Sequence, residues 1–188
     1  MSPRPAPDLN LRREQITRLT RQVAENEGWT AVTMRRLSGE LGVTQPVLYS
    51  AFTGRQALID AVALDGFAAL TATLEAAEAA PLARMGAYLD FAAAHPRTYE
   101  AMFSMPSGLR FGHDTHEPLT RAFSAIREAF PPHDDDTDDT EDTEAGDVQA
   151  EVAWATLHGL ATLQASGRLP LERTQARLEA AHRMLTHP

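Results

Sequence analysis

The stretch Thr33–Val62, TMRRLSGELGVTQPVLYSAFTGRQALIDAV, sets a short segment opening on Thr-Gln-Pro between two helical patterns. Thr33 is placed to N-cap a helix carrying Met34, Leu37 and Leu41, with Gly42 as its stop. Thr44 can N-cap the next helix, where a proline in the first turn removes only an N–H that has no partner anyway. At 100° per residue Thr44, Leu48, Ala51 and Phe52 point inward, Pro46, Val47, Tyr49 and Ser50 point away, and Gln45 lies at the margin. A further helix starts near Gly54 and runs through Leu58, Ile59, Val62 and Phe67 as far as Ala79. A helix, a short Gly-containing turn and a second helix are the parts of a helix-turn-helix, whose second helix presents its N-terminal residues to base edges in the major groove. An ordinary helical hairpin, with Tyr49 as half-buried filler, has the same spacing.

Helical periodicity continues on both sides, and the fold class it predicts is all-α. Upstream, Ile16, Leu19, Val23 and Ala24 make one apolar face between Leu11 and Glu27, with Gly28 as C-cap. Downstream, helices are expected over Leu82–Ala94, Pro96–Met105, Glu117–Phe130, Val148–Ser166 and Leu171–Leu185. The organisation predicted is a flexible tail over 1–10, a DNA-binding domain over 11–60 and a helical domain over 61–188. The tract 131–147, PPHDDDTDDTEDTEAGD, repels itself and is expected to be a disordered loop.

That tract also corrects a first impression from the net charge. A balance of −9 argues against a phosphate partner. Nine of the 26 acids lie in the tract, however, and the remaining 17 match the 17 cations, all of them Arg. Residues 1–60 hold eight Arg and six acids, a local charge of +2 compatible with DNA. No cysteine is present, which excludes disulfides, thiolate catalysis and Cys-ligated zinc. No apolar run approaches the roughly 20 residues of a membrane span, and "MSPRPAPDLNLRR" lacks a signal peptide's apolar core. A cytoplasmic protein without a membrane partner is the expectation.

Gly42, Val43, Thr44, Leu48, Tyr49, Phe52, Arg55 and Leu58 match in order the DNA-binding domain of tetracycline-repressor-type regulators, which the segment resembles, down to a Gln-Pro pair like that of the tetracycline repressors themselves. Carried over residue by residue, the resemblance implies phosphate contacts from Thr33, Tyr49 and Arg55, with Thr44 also among the DNA-binding positions. It implies a base or phosphate contact from Arg35, and base reading by Gln45, Pro46 and Val47 with Ser50 alongside. Ser50 and Ala51 stand where such proteins often carry a large aromatic or His, and Arg55 where they usually carry Lys. "HPRTYEAMF", His95–Phe103, and "WATLHGLATLQASGRL", Trp154–Leu169, resemble C-terminal segments of the same family, the second that of a subgroup named for Trp154, His158 and Gly159. The implied molecule dimerises through its last two helices, holds a small apolar effector in its C-terminal domain, and binds an operator with inverted-repeat symmetry as a homodimer, more as repressor than activator.

Met85, Leu89, Phe91, Met102, Phe103, Phe111, Phe123, Trp154 and His158 are candidates to line the effector pocket, although a stripe at helical spacing is mostly core. No nucleophile elbow or phosphate loop appears, so catalysis is not expected, nor is a cofactor. His113, Asp114 and His116 lie close together in a polar loop without a further ligand placed by sequence, and no metal is expected there. The competing classes are a helical adaptor binding only protein, which leaves the polar-to-apolar order of Gln45–Phe52 unexplained, and, further off, an enzyme using the C-terminal pocket.

Overall fold

Helix starts and stops fall where the capping residues stand. In a computed structural model, which describes residues 9–110, 115–130 and 139–186, the chain runs as α1 (Leu9–Glu27), α2 (Met34–Glu40), α3 (Gln45–Ala51), α4 (Arg55–Ala76), α5 (Pro81–Ala94), α6 (Pro96–Phe103), α7 (Glu117–Ala129), α8 (Asp139–Ala165) and α9 (Thr174–Thr186). There is no strand among the described residues, and the all-α expectation holds. Gly28 and Gly42, at φ 82° and 63°, end the segments before α2 and α3 in the left-handed region that a side chain resists. Pro96 and Pro118 stand in the first turns of α6 and α7.

Two compact units emerge. The first takes the described residues of 1–66 and 95–114; the second takes those of 67–94 and 115–188. This division differs from a boundary at residue 60: the first turns of α4 and all of α6 go with the N-terminal helices. The reason is chemical and non-local. Trp29, in a 3-10 turn (Trp29–Ala31) that helical periodicity does not reveal, donates its indole N–H to Arg97 O at 3.0 Å and holds α6 to the first unit. Its core contains Ile16, Val23, Trp29, Leu37, Leu48, Phe52, Leu58 and Val62. On α1, Thr20 rather than Leu19 completes the buried stripe, its hydroxyl donating to Ile16 O at 2.8 Å.

The second unit is built on Phe67, Leu70 and Leu74 of α4, Met85, Tyr88 and Phe91 of α5, Leu119 and Ile126 of α7, and Leu157 of α8. Helix α4, of 22 residues, is long and apolar enough to cross a membrane, contrary to the expectation from the sequence. Half of its most apolar stretch is buried inside the protein, as befits a core helix. The acidic tract also departs from expectation. Residues 131–138 lie outside the described residues, but α8 begins at Asp139, nine residues before the expected Val148.

Candidate nucleic-acid interface

The reading surface is assembled from local rules. Thr33 N-caps α2, its hydroxyl accepting from Arg36 N–H at 3.2 Å. The turn after α2 closes through Gly42 N–H to Gly39 O at 3.2 Å and Val43 N–H to Ser38 O at 3.0 Å. Helix α3 is then seated by Leu48, Ala51 and Phe52, all buried, which leaves Gln45, Pro46, Tyr49 and Ser50 exposed and Val47 half-buried. Tyr49 is 50% exposed, too large an apolar surface for filler. The Ser50 hydroxyl donates to Val47 O at 2.7 Å, so toward a ligand it acts as an acceptor.

Thr44 corrects the helical projection. It is exposed rather than inward-facing, because at φ −80° and ψ 153° it precedes the helix and does not share its phase. It is the N-cap, yet its side chain makes no capping bond. A cap hydroxyl serves the N–H of the second or third helical residue; Pro46, the second, has none, and Val47 N–H already goes to Thr44 O at 3.0 Å. The Thr44 hydroxyl is thereby left without a capping role, next to the exposed Gln45.

Guanidinium groups surround this surface in different states. Arg35 is exposed, and its guanidinium makes no hydrogen bond or ion pair among the described residues. Its neighbour Arg36 is consumed by Glu27, at 2.5 Å, and Glu40, at 2.7 Å. These partners push the Arg36 pKa up, and Arg36 holds the Glu27 carboxyl below its ordinary value. Arg55, at the start of α4, donates from Nη2 to Trp29 O at 2.9 Å, so the same turn that grips α6 also fixes this side chain. Arg13 on α1 donates to Ala51 O and lies over the Phe52 ring. The sequence reading missed Arg13, Trp29 and the Arg36–Glu27 pair; only the Arg36–Glu40 spacing of four offered a signal. The ensemble is an uncharged face of amide, hydroxyl, phenol and apolar groups, with Arg35 on the helix before it and Arg55 at the start of the helix after it. Such a face suits base edges flanked by phosphates.

The candidate effector residues divide between the units. Met85 and Leu89 are buried on α5. Phe123 and Trp154 are half-buried with ring centroids 6.1 Å apart, and Trp154 Nε1 donates to the phenol oxygen of buried Tyr88 at 3.1 Å. His158, one turn beyond Trp154, has its pKa lowered by burial. Met102 and Phe103 lie on α6 in the first unit, Met102 against Gly66 and Phe103 with its ring 4.7 Å from that of Tyr99. Phe111 lies outside the described residues, as do His113 and Asp114. A cleft of about 210 Å³ in the second unit is lined instead by Ala68, Thr71, Ala72, Glu75, Glu117, Pro118 and Arg121. Among the described residues no three His, Cys, Asp or Glu side chains are grouped to hold a metal.

Residues 16–62 match the family described as bacterial regulatory proteins, tetR family, and residues 81–187 match the tetracyclin repressor-like C-terminal domain. An uncharacterized HTH-type transcriptional regulator, YobS of Bacillus subtilis (strain 168), is 32% identical over 102 residues, 51% of this chain and 53% of that protein. The tetracycline repressor protein class C of Escherichia coli is 42% identical over 53 residues, 28% of this chain and 24% of the repressor. The chain thus spans about half the length of the first relative and about a quarter of the second. A solved structure of a protein with unknown function from Rhodococcus sp. RHA1 superposes with a TM-score of 0.69 at 28% identity, covering 98% of this chain and 97% of that one.

Proposed function

We propose that this chain, which belongs to the tetR family of bacterial regulatory proteins, is a ligand-responsive transcriptional regulator that reads DNA through α3 and has no enzymatic activity. The observation that carries the reading is the exposed, uncharged face of Gln45, Pro46, Tyr49 and Ser50 on a helix whose other side is buried. Gln45 is suited to an adenine edge, Pro46 and Val47 to a thymine methyl, and Thr33, Thr44, Tyr49, Arg35 and Arg55 to phosphates. The protein acts as a homodimer in the cytoplasm, and its operator is an inverted repeat with half-site centres at least one turn, roughly 34 Å, apart.

A small apolar effector releases the DNA. The half-buried group of Phe123, Trp154 and His158, with Trp154 bonded to Tyr88, supports a site in the second unit, with His158 as hydrogen-bond partner. The likeness to the Trp-His-Gly subgroup rests on Trp154, His158 and Gly159 alone. An effector's leverage equals its differential affinity for the two states, and a coupling of about 1–3 kcal/mol changes operator affinity roughly 5- to 150-fold. Enrichment of bound sequences from a random DNA pool tests the reading: an inverted repeat supports it, and failure to enrich any sequence sinks it.

A further inference from the structure

Helix α3 has seven residues, too few to be stable or to hold an angle by its own backbone bonds. Its N-terminus has no side-chain cap. Its last carbonyls have no partner within the helix. One of them, Ala51 O, accepts a hydrogen bond from Arg13 Nη1, on α1 and 38 positions earlier in the chain. The guanidinium carbon of the same residue lies 4.3 Å from the centroid of the Phe52 ring. Phe52 is the C-cap of α3, its N–H donating to Leu48 O at 2.9 Å, and its side chain is buried. One cation therefore meets the negative end of the helix and the face of the ring that closes it.

We propose that Arg13 is a positioning residue for DNA recognition. It fixes the C-terminal end of α3 against α1, sets the angle at which Gln45–Ser50 meet base edges, and makes no phosphate contact of its own; the inference rests on the DNA-binding reading above. The leverage is geometric. Seven residues span about 10 Å, so a tilt of about 10° moves the far end by about 2 Å. A hydrogen bond to a base edge does not survive that displacement. Releasing one end of α3 then erodes discrimination among sequences while the phosphate contacts stay in place.

The experiment uses the full chain as wild type, Arg13→Leu and Arg13→Lys, with Arg13→Met taking the place of the leucine variant should that one not fold. Amide exchange is followed in α2 and α3 without DNA. Binding is measured across a range of salt to a duplex enriched by the wild type and to a random duplex of equal length. With Arg13→Leu, exchange over Leu48–Phe52 accelerates roughly tenfold while α2 is unchanged. Affinity for the enriched duplex falls roughly tenfold, affinity for random DNA and both salt slopes stay as they were, and Arg13→Lys, which keeps a donor, recovers most of the loss. A salt slope reduced by about one on both duplexes overturns the proposal, because it marks a lost phosphate contact. Unchanged exchange in α3, or unchanged discrimination between the duplexes, overturns it as well. A wild type that enriches no sequence while exchange in α3 responds as stated overturns the DNA-binding reading and leaves the hold of Arg13 on α3 standing.

Discussion

Glu25 on α1 accepts two hydrogen bonds from Thr98 on α6, from its backbone N–H at 2.8 Å and from its hydroxyl at 2.6 Å. A third comes from Arg97 N–H at 3.1 Å. Arg97 and Thr98 are the second and third residues of α6, so a carboxylate from another helix does what the local N-cap, His95, does not. Replacing Glu25 with Ala leaves two amides and a buried hydroxyl unmet and is expected to cost about 2–3 kcal/mol in urea unfolding. Glu25→Gln, which keeps one acceptor, is expected to lose about half as much. Equal stability of the Ala variant and the wild type would refute the capping role.

Gly66 on α4 lies against Met102 and Thr98 of α6. A methyl there would lie 2.7 Å from Met102 Sδ and 2.7 Å from Thr98 Cγ2, both on buried residues. Gly66→Ala is expected to destabilise by about 1–3 kcal/mol through overpacking, despite the higher helix propensity of Ala. Adding Thr98→Ser, which deletes the methyl and keeps the hydroxyl on Glu25, is expected to restore part of the loss. The pair of melting curves decides it: no recovery in the double variant means that Thr98 is not the obstacle.

These contacts also mark what could be read from sequence. Caps at Thr33 and Thr44, stops at Gly28 and Gly42 and apolar spacing located each helix to within a few residues, because those signals act over a single turn. The exception is α8, whose first nine residues read as part of a self-repelling loop. What joins helices was not legible. Glu25 and Thr98 are 73 residues apart, Arg13 and Ala51 are 38 apart, and nothing in either neighbourhood announces the partner. The outward face of α3 was legible for the opposite reason, since one buried side fixes the other, and only Thr44, just outside the helix, escaped the rule.

Adjacent arginines are expected to behave differently on DNA. Arg35 is exposed, whereas the Arg36 guanidinium is held by Glu27 and Glu40. Arg35→Ala should weaken binding to all sequences and lower the salt slope by about one, and Arg36→Ala should leave the slope unchanged. Fluorescence anisotropy titrations from 50 to roughly 200 mM salt make the comparison. Equal slopes for the two variants would show that the ion pairs open on DNA.

Stability should fall as the solution is acidified below neutrality. The pKa of His158 is lowered from 6.5 by burial, and that of His95 is lowered by burial and by Arg21. Each neutral imidazole in the folded chain binds its proton at lower pH than in the unfolded chain. Below the unfolded value the unfolded state therefore binds more protons, so this contribution is present above about pH 6.5 and is lost as pH drops through the folded values. Thermal midpoints between pH 7.5 and roughly 5.5 should decline, and His158→Gln should flatten the decline. An identical profile in that variant assigns the dependence elsewhere.

Self-association is expected along an exposed apolar stripe on α8. Val148 and Val152 on α8 are 53% and 51% exposed, Leu163 is 40% exposed, and Met184 on α9 is 77% exposed. Val148, Val152, Ala155, Gly159 and Leu163 recur at spacings of four, three, four and four, a single stripe along α8. A methyl at Gly159 would meet nothing within 4 Å in its own chain, so the small residue there is not required by internal packing and leaves room for a neighbouring helix. A twofold dimer in which α8 meets its counterpart would bury this stripe, and a stable one needs about 1,200–2,000 Å² in all. Sedimentation of the wild type at roughly 10 μM, far above the dissociation constant expected for such an area, should give a dimer. Val152→Asp and Gly159→Leu should both shift it toward monomer with the fold intact by circular dichroism. Because two copies of α3 must be held at a fixed separation to read an inverted repeat, both variants should also lose most of their preference for the enriched duplex while single half-site binding persists. A monomeric wild type that still prefers the inverted repeat would break the link between this stripe and DNA recognition.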